Sequence, residues 1–198
     1  MAEIKPSVLV CVLCGPERDH WINPRLVVTL LKMQSDNRFT VEIEFIHGMH
    51  GIDRARNLAI DKAREKQADW LIQVDNDISH AAPLDVLAEA NGTRLDIIAV
   101  SSGLSLKEGT YQPNVDLAGD RCGNFMRVSN AGAGLLMIRS SVWNKLPKGP
   151  LFVWSADCGE DVYFARLAQA LGFKLWTHAS LADHFKTVNI TSLLKGTR

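Results

Sequence analysis

The chain has 198 residues, and its 22 Lys plus Arg balance 22 Asp plus Glu, so no global basic field draws it to nucleic acid or an anionic membrane, although a local patch stays open. This length supports one substantial core and is short for two, and 46% hydrophobic with 22% charged residues is ordinary for a soluble globular protein. The longest apolar runs, such as Val8 to Leu13 and Leu26 to Leu31, are far too short to span a bilayer. Met1-Ala2-Glu3-Ile4-Lys5-Pro6 lacks the charged-then-apolar layout of a signal peptide, so a cytoplasmic location is expected.

Val8 to Leu13 reads as a strand buried on both faces. Gly15-Pro16 breaks it, and Asn23-Pro24 opens a helix from about Arg25 to Met33. Thr40 to Ile46 alternates Val41, Ile43 and Phe45 with Glu42 and Glu44, a second strand with one more polar face. After the loop His47-Gly48-Met49-His50-Gly51, Asp53 opens a helix to about Gln67, with Ala55, Leu58, Ala59 and Ala63 on its inner side. Trp70 to Val74 is the third strand, and Asp75-Asn76-Asp77 follows it.

Pro83 to Ala90 reads as a helix and Asp96 to Val100 as a strand, which completes a β-α-β alternation typical of a mostly parallel sheet flanked by helices. Residues 103 to 124 are polar and Gly-rich without a clear period, and are expected to form a long loop. Short strands at Phe125 to Ser129 and Leu135 to Ile138 flank Asn130-Ala131-Gly132-Ala133-Gly134. A brief helix runs from Ser140-Ser141 to Leu146, and an amphipathic helix that follows Asp157-Cys158-Gly159-Glu160-Asp161 ends at Gly172. Lys174 to Thr177 is a last strand, with His184 beyond it. No repeat or linker divides the chain, so one α/β domain over 1–198 is expected.

Two carboxylates one residue apart, at the carboxyl end of a buried strand, stand where open α/β sheets bind ligands. With a turn at Asn76, Asp75 and Asp77 suit a hard cation, which in turn holds a diphosphate; taken alone, the same residues fit an ordinary polar turn. Glu160 and Asp161 open a helix whose dipole favours ionised carboxylates, although first-turn acids are also common caps. His184 is either a nitrogen ligand or a surface residue. The four cysteines give one Cys-x-x-Cys pair, Cys11 and Cys14, without a second pair to answer it. They read as buried structural thiols.

In this order, the motifs resemble the GT-A nucleotide-sugar glycosyltransferases, especially glycosyltransferase family two and its small bacterial and phage relatives. The resemblance rests on Arg54-Ala55-Arg56-Asn57-Leu58-Ala59, Asp75-Asn76-Asp77, Ala131 to Arg139, Glu160 to Arg166 and His184. It implies a GT-A-like fold, with residues 1–102 forming the nucleotide-sugar half and 103–198 the half that holds the acceptor and catalytic base. It also implies a metal-dependent, inverting transfer of a sugar from a nucleoside-diphosphate sugar to an acceptor hydroxyl. Asp77 and His184 would ligate Mn2+ or Mg2+, and Asp75 would join them directly or through ribose or water. Asp161 would be the base, and Glu160 would orient the acceptor. Gly15, Arg56, Asn57, Asp75, Asn76 and Lys107 would line the nucleotide site.

Lys107 and Tyr111 in the long loop would close over the diphosphate. Trp154 would either stack on an acceptor sugar or anchor its loop from within the core. The acceptor stays open among a glycan, a protein, a lipid and a modified nucleobase, and so does homo-oligomerisation. The sequence departs from the family at His47 to Gly51, which has no carboxylate before Asp53, so the two histidines are candidates for contact with the nucleoside. Only a short tail follows His184, which suggests a bare catalytic core. Two other readings compete. A sugar-phosphate nucleotidyltransferase shares a similar sheet, but Cys14 to Asp19 does not fit its expected Gly-rich, Arg-containing loop. An idle GT-A-like binding domain would be expected to lose one of the two acidic motifs.

Overall fold

The computed structural model describes residues 5–15, 21–107, 110–113 and 115–184, with side chains given for all of these except 103–113. Along the chain the elements are β1 (Ser7–Leu13), α1 (Pro24–Gln34), β2 (Thr40–Ile46), α2 (Ile52–Glu65), β3 (Trp70–Asp75) and β4 (Ile78–Ser79). Then come α3 (Pro83–Gly92), β5 (Ile97–Ala99), β6 (Gly103–Lys107), β7 (Thr110–Pro113), β8 (Val115–Cys122), β9 (Phe125–Ala131) and β10 (Leu135–Arg139). The last are α4 (Ser140–Lys145), α5 (Glu160–Ala170), β11 (Leu175–His178) and β12 (Asp183–His184).

Eight strands form one sheet in the order β2-β1-β3-β10-β5-β11-β9-β8. The parallel pairs are β1–β2, β1–β3 and β5–β11, and the other four junctions are antiparallel. Tracing those pairings across the sheet, β10 and β9 run against the other six strands. The expected mostly parallel sheet is therefore a mixed one. It keeps a shared direction in β1, β2, β3 and β5, whose carboxyl ends lie on one edge.

Alternation along β1 explains its unbroken apolar run. Val8, Val10 and Val12 enter a core with Leu26, Leu30 and Met33 of α1 and Leu84 and Leu87 of α3. Leu9, Cys11 and Leu13 enter the opposite core with Ala55, Ala59 and Ala63 of α2 and Phe164 of α5. The small residues of α2 let it lie close to the sheet. In that second core, Phe152 stacks on Phe164 with centroids 4.5 Å apart.

The region expected as a long loop, 103–124, contains β6, β7 and β8 instead. β8 is an edge strand, exposed along nearly its whole length. Its register with β9 slips between Leu117 and Arg121, around Gly119 at φ +95°. An exposed edge strand, held to β9 by its backbone and by polar side-chain pairs such as Arg127–Asp120 and Asn130–Asp116 and interrupted by a bulge, carries no apolar alternation. β4 and β12 pair as two residues each, too short to leave a period. Among the described residues, no helix is long and apolar enough to cross a membrane.

Candidate functional site

Along β3, Leu71, Gln73 and Asp75 share the face toward α2, and Gln73 is the polar exception among buried neighbours. This amide and Asp75 receive the guanidinium of Arg56, which is only 2% exposed. Arg56 Nη1 donates to the Ala133 carbonyl at 2.8 Å and to Gln73 Oε1 at 3.5 Å. Nη2 donates to Asp75 Oδ1 at 3.1 Å and Nε to Glu160 Oε1 at 3.4 Å. Gln73 Nε2 returns a bond to the Arg56 carbonyl at 3.0 Å. One buried cation thus joins the end of β3, the start of α5 and the Ala131–Gly134 segment.

That segment closes on the same point. The amide of Asp75 donates to the Gly134 carbonyl at 2.9 Å. A Cβ on Gly134 would lie 3.2 Å from Ile78 Cγ1 and 3.7 Å from Asp75 Oδ2, so the close approach depends on glycine here. Burial pushes the Asp75 carboxyl up to about 6; Arg56 offsets part of the rise, and the charges of Asp77 and Glu160 add to it.

Asp77 meets His184. β12 pairs with β4 and sets His184 opposite Ile78, which brings His184 Nε2 to 3.3 Å from Asp77 Oδ2. Both side chains are largely covered, and His184 Nδ1 is buried without a hydrogen-bond partner. The expected three-residue metal set does not converge. Among the described residues no group of three or more His, Cys, Asp or Glu is arranged to hold a metal ion. Asp75 is turned to Arg56, and the pair that meets is Asp77 with His184. An oxygen and a nitrogen donor side by side fit Mn2+ or Mg2+ when a ligand supplies the remaining oxygens.

Several residues expected at the nucleotide have other work. Arg56 lies beneath the acidic floor, not open to a ligand. Asn57 is saturated: Nδ2 donates to the carbonyls of Asp53 and Phe152, and Oδ1 accepts from the amides of Leu151 and Phe152. It clamps α2 to that segment, because an amide has no further strong bonds to offer once these four are made. Asn76 is 5% exposed, and its Nδ2 donates to the Trp21 carbonyl. Its backbone links Leu13 to Asn23, so it fastens the turn to β1 and to the approach to α1.

Gly15 ends the described part of the chain beyond β1, with open space around its α-carbon. Lys107 and Tyr111 fall on the β6–β7 hairpin, and their side chains lie outside the described residues. His47 and His50 are exposed, and His47 stacks against Phe45 at 6.0 Å.

On the α5 side, Glu160 is 7% exposed and turned to Arg56, whereas Asp161 is half-buried, its Oδ1 accepting from the Val162 amide at 2.8 Å. The expectation that Glu160 orients an acceptor meets a buried carboxylate committed to Arg56. Trp154 is 60% exposed, and two of its ring carbons approach to 3.7 Å of the position a Gly159 Cβ would take. It is therefore not a core anchor; its ring lies over the glycine that precedes Glu160. Cys11 and Cys14 are buried, and burial pushes the Cys11 thiol up to about 12, as befits structural thiols.

No family model and no curated protein sequence matches the chain. Solved structures do. A197 from STIV superposes with a TM-score of 0.65 at 19% identity, over 93% of this chain and 87% of that one. GalNAc-T7, crystallised with UDP, GalNAc and Mn2+, gives 0.54 at 14% identity, over 93% of this chain and 44% of that one. CMP:2-keto-3-deoxy-manno-octonic acid synthetase complexed with CTP gives 0.55 at 14% identity, over 98% and 96%. The chain has a GT-A-like α/β fold. That fold is shared by glycosyltransferases and nucleotidyltransferases.

Proposed function

We propose that the chain is a metal-dependent, inverting glycosyltransferase that moves a sugar from a nucleoside-diphosphate sugar to an acceptor hydroxyl. The observation that carries the reading is the joint presentation of two acidic motifs. Arg56 binds both Asp75 and Glu160, which ties the β3 turn that leads to Asp77 to the α5 start that leads to Asp161. In this reading residues 1–102 hold the donor, residues 103–198 hold the acceptor and base, and all 198 residues act as one domain.

Asp77 and His184 would hold Mn2+ or Mg2+, which supplies Lewis-acid neutralisation of the leaving diphosphate. A cation in the GalNAc-T7 crystals accords with this choice. Asp161 takes the proton of the acceptor hydroxyl as its oxygen bonds to the anomeric carbon. The bond from that carbon to the diphosphate breaks, and the nucleoside diphosphate leaves with the electron pair. Arg56 keeps Asp75 and Glu160 in place below, and Gly15, His47 and His50 border the nucleoside side.

The test supplies a panel of nucleotide sugars with Mn2+, with water or a simple sugar as acceptor, and follows nucleoside diphosphate release. One donor should be consumed by the wild type and spared by Asp161→Asn. A nucleotidyltransferase would instead release pyrophosphate from a nucleoside triphosphate and a sugar 1-phosphate. That product, with no donor consumed, would replace the transferase reading.

A further inference from the structure

A hydrogen-bond chain outside the acidic mouth connects four segments of the fold. His80, just after β4, is 7% exposed, and its Nδ1 accepts from the Ala82 amide at 3.2 Å. A ring nitrogen that accepts a bond carries no proton, so the proton sits on Nε2, which donates to Ser180 Oγ at 2.8 Å. His178 Nδ1 accepts from the Ser180 amide at 3.1 Å. It is therefore bare as well, and it accepts the Ser180 hydroxyl proton across 2.5 Å. The His178 proton then lies on Nε2, 3.4 Å from Glu89 Oε2. Asn124 holds Glu89 from its amide and its Nδ2. The bonds run one way only, from His80 through Ser180 and His178 to Glu89, and Ser180 Oγ both accepts and donates.

This chain matters because packing does little for the segment it grips. Between β11 and His184, Leu181 is 65% exposed, and the one buried apolar side chain there is the small methyl of Ala182, at 4%. Directed bonds hold the segment instead. The Ala179 amide donates to the Asn124 carbonyl and the Ala182 amide to the Ser101 carbonyl. On the other side, Thr29 Oγ1 donates to the His80 carbonyl at 2.9 Å, which fixes the segment that follows Asp77 to α1. Ser180 is thus the junction between the stretch that carries Asp77 and the stretch that carries His184.

We propose that this chain positions His184 against Asp77, with Ser180 as its central positioning residue. The proposal rests on the reading of Asp77 and His184 as the cation-binding pair. Groups that orient metal ligands from behind govern affinity without touching the metal.

The experiment is NMR on the full chain, with exchange of the Ala182 amide read without metal and broadening of the His184 imidazole read in a Mn2+ titration. Ser180→Ala should speed Ala182 exchange about tenfold and raise the Mn2+ concentration for half-broadening about 10–100-fold. Ser180→Thr, which keeps a hydroxyl, should restore both, and Ser180→Cys should fall between. Should Ser180→Ala fail to fold, the Ser180→Cys and Ser180→Thr pair decides, and equal values for the two overturn the proposal.

Unchanged Ala182 exchange and Mn2+ response in Ser180→Ala would overturn it, as would faster exchange with an unchanged Mn2+ response. If Mn2+ fails to broaden His184 even in the wild type, the cation reading falls by itself. The positioning claim is then judged on exchange and on the His184 ring shifts, and a Ser180→Ala match to the wild type in both sinks it.

Discussion

Replacing Arg56 with Met removes the cation and keeps much of the side-chain volume. The guanidinium is 2% exposed and serves Asp75, Glu160, Gln73 and the Ala133 carbonyl. Its loss leaves two carboxylates facing each other without compensation. Breaking a buried pair from one side costs about 3–5 kcal/mol. The Asp75 side chain retains 28% exposure, which moves the expectation toward the lower end, about 3 kcal/mol at pH 7. For a chain of this size that corresponds to a fall in Tm of roughly 6–12 °C.

The assay is urea unfolding of wild type and Arg56→Met at pH 7 and pH 5. The penalty should shrink at pH 5, because Asp75 without Arg56 binds a proton more readily. Adding Asp75→Asn and Glu160→Gln to Arg56→Met should recover at least half of the loss. A loss below about 1 kcal/mol at pH 7, or no recovery in the triple variant, would show that Arg56 does not hold the mouth together.

Three further outcomes follow from the same geometry. Asp75 has its folded-state pKa raised from 3.8 to about 6, so between those values the native state binds more protons than the unfolded one and stability falls as pH rises. Measured against Asp75→Asn, which lacks this slope, the wild type should lose about 1–2 kcal/mol from pH 4 to pH 6, discounted for partial exposure; a flat difference contradicts the burial argument. Asn57→Ala should cost about 1–3 kcal/mol in urea unfolding, since it strands the Leu151 and Phe152 amides; a loss within the range of a surface change contradicts the clamp. Trp154→Ala should leave Tm within about 1 °C, because an exposed ring adds little to the core; a large drop contradicts the exposed placement.

Much of the sheet was legible because buried strands and α2 obey simple periods. Val8 to Leu13 is apolar on both faces, Trp70 to Val74 is so except at Gln73, and Ala55, Ala59 and Ala63 recur on one helical side. β8 was not legible, since an exposed edge strand with a bulge has no apolar alternation to read. The reversed directions of β9 and β10 were hidden because strand direction is set by tertiary pairing, not by local pattern.

At the site, sequence order brought out Asp77 with His184 and the pairing of two acidic motifs. It did not separate side chains left open from those bonded within the protein. Arg56, Asn57, Asn76 and Glu160 all looked available, and each is occupied within the protein. One signal was in plain view: Gln73, an amide in the middle of an apolar strand, marked a buried polar partner. The His80–Ser180–His178 chain left no comparable trace, because His80 lies a hundred residues from Ser180 and the two meet where β4 pairs with β12.

The central claim is that Asp77 and His184 hold a cation that binds a nucleoside diphosphate. It is tested most directly by melting the wild type and Asp77→Ala with UDP, GDP, CDP and TDP, each with and without Mn2+. Binding raises Tm by mass action. One diphosphate should raise the wild-type Tm only when Mn2+ is present, and Asp77→Ala should abolish the shift while retaining a cooperative melt. A shift that ignores Mn2+, a shift that survives in Asp77→Ala, or no shift with any diphosphate would contradict the account.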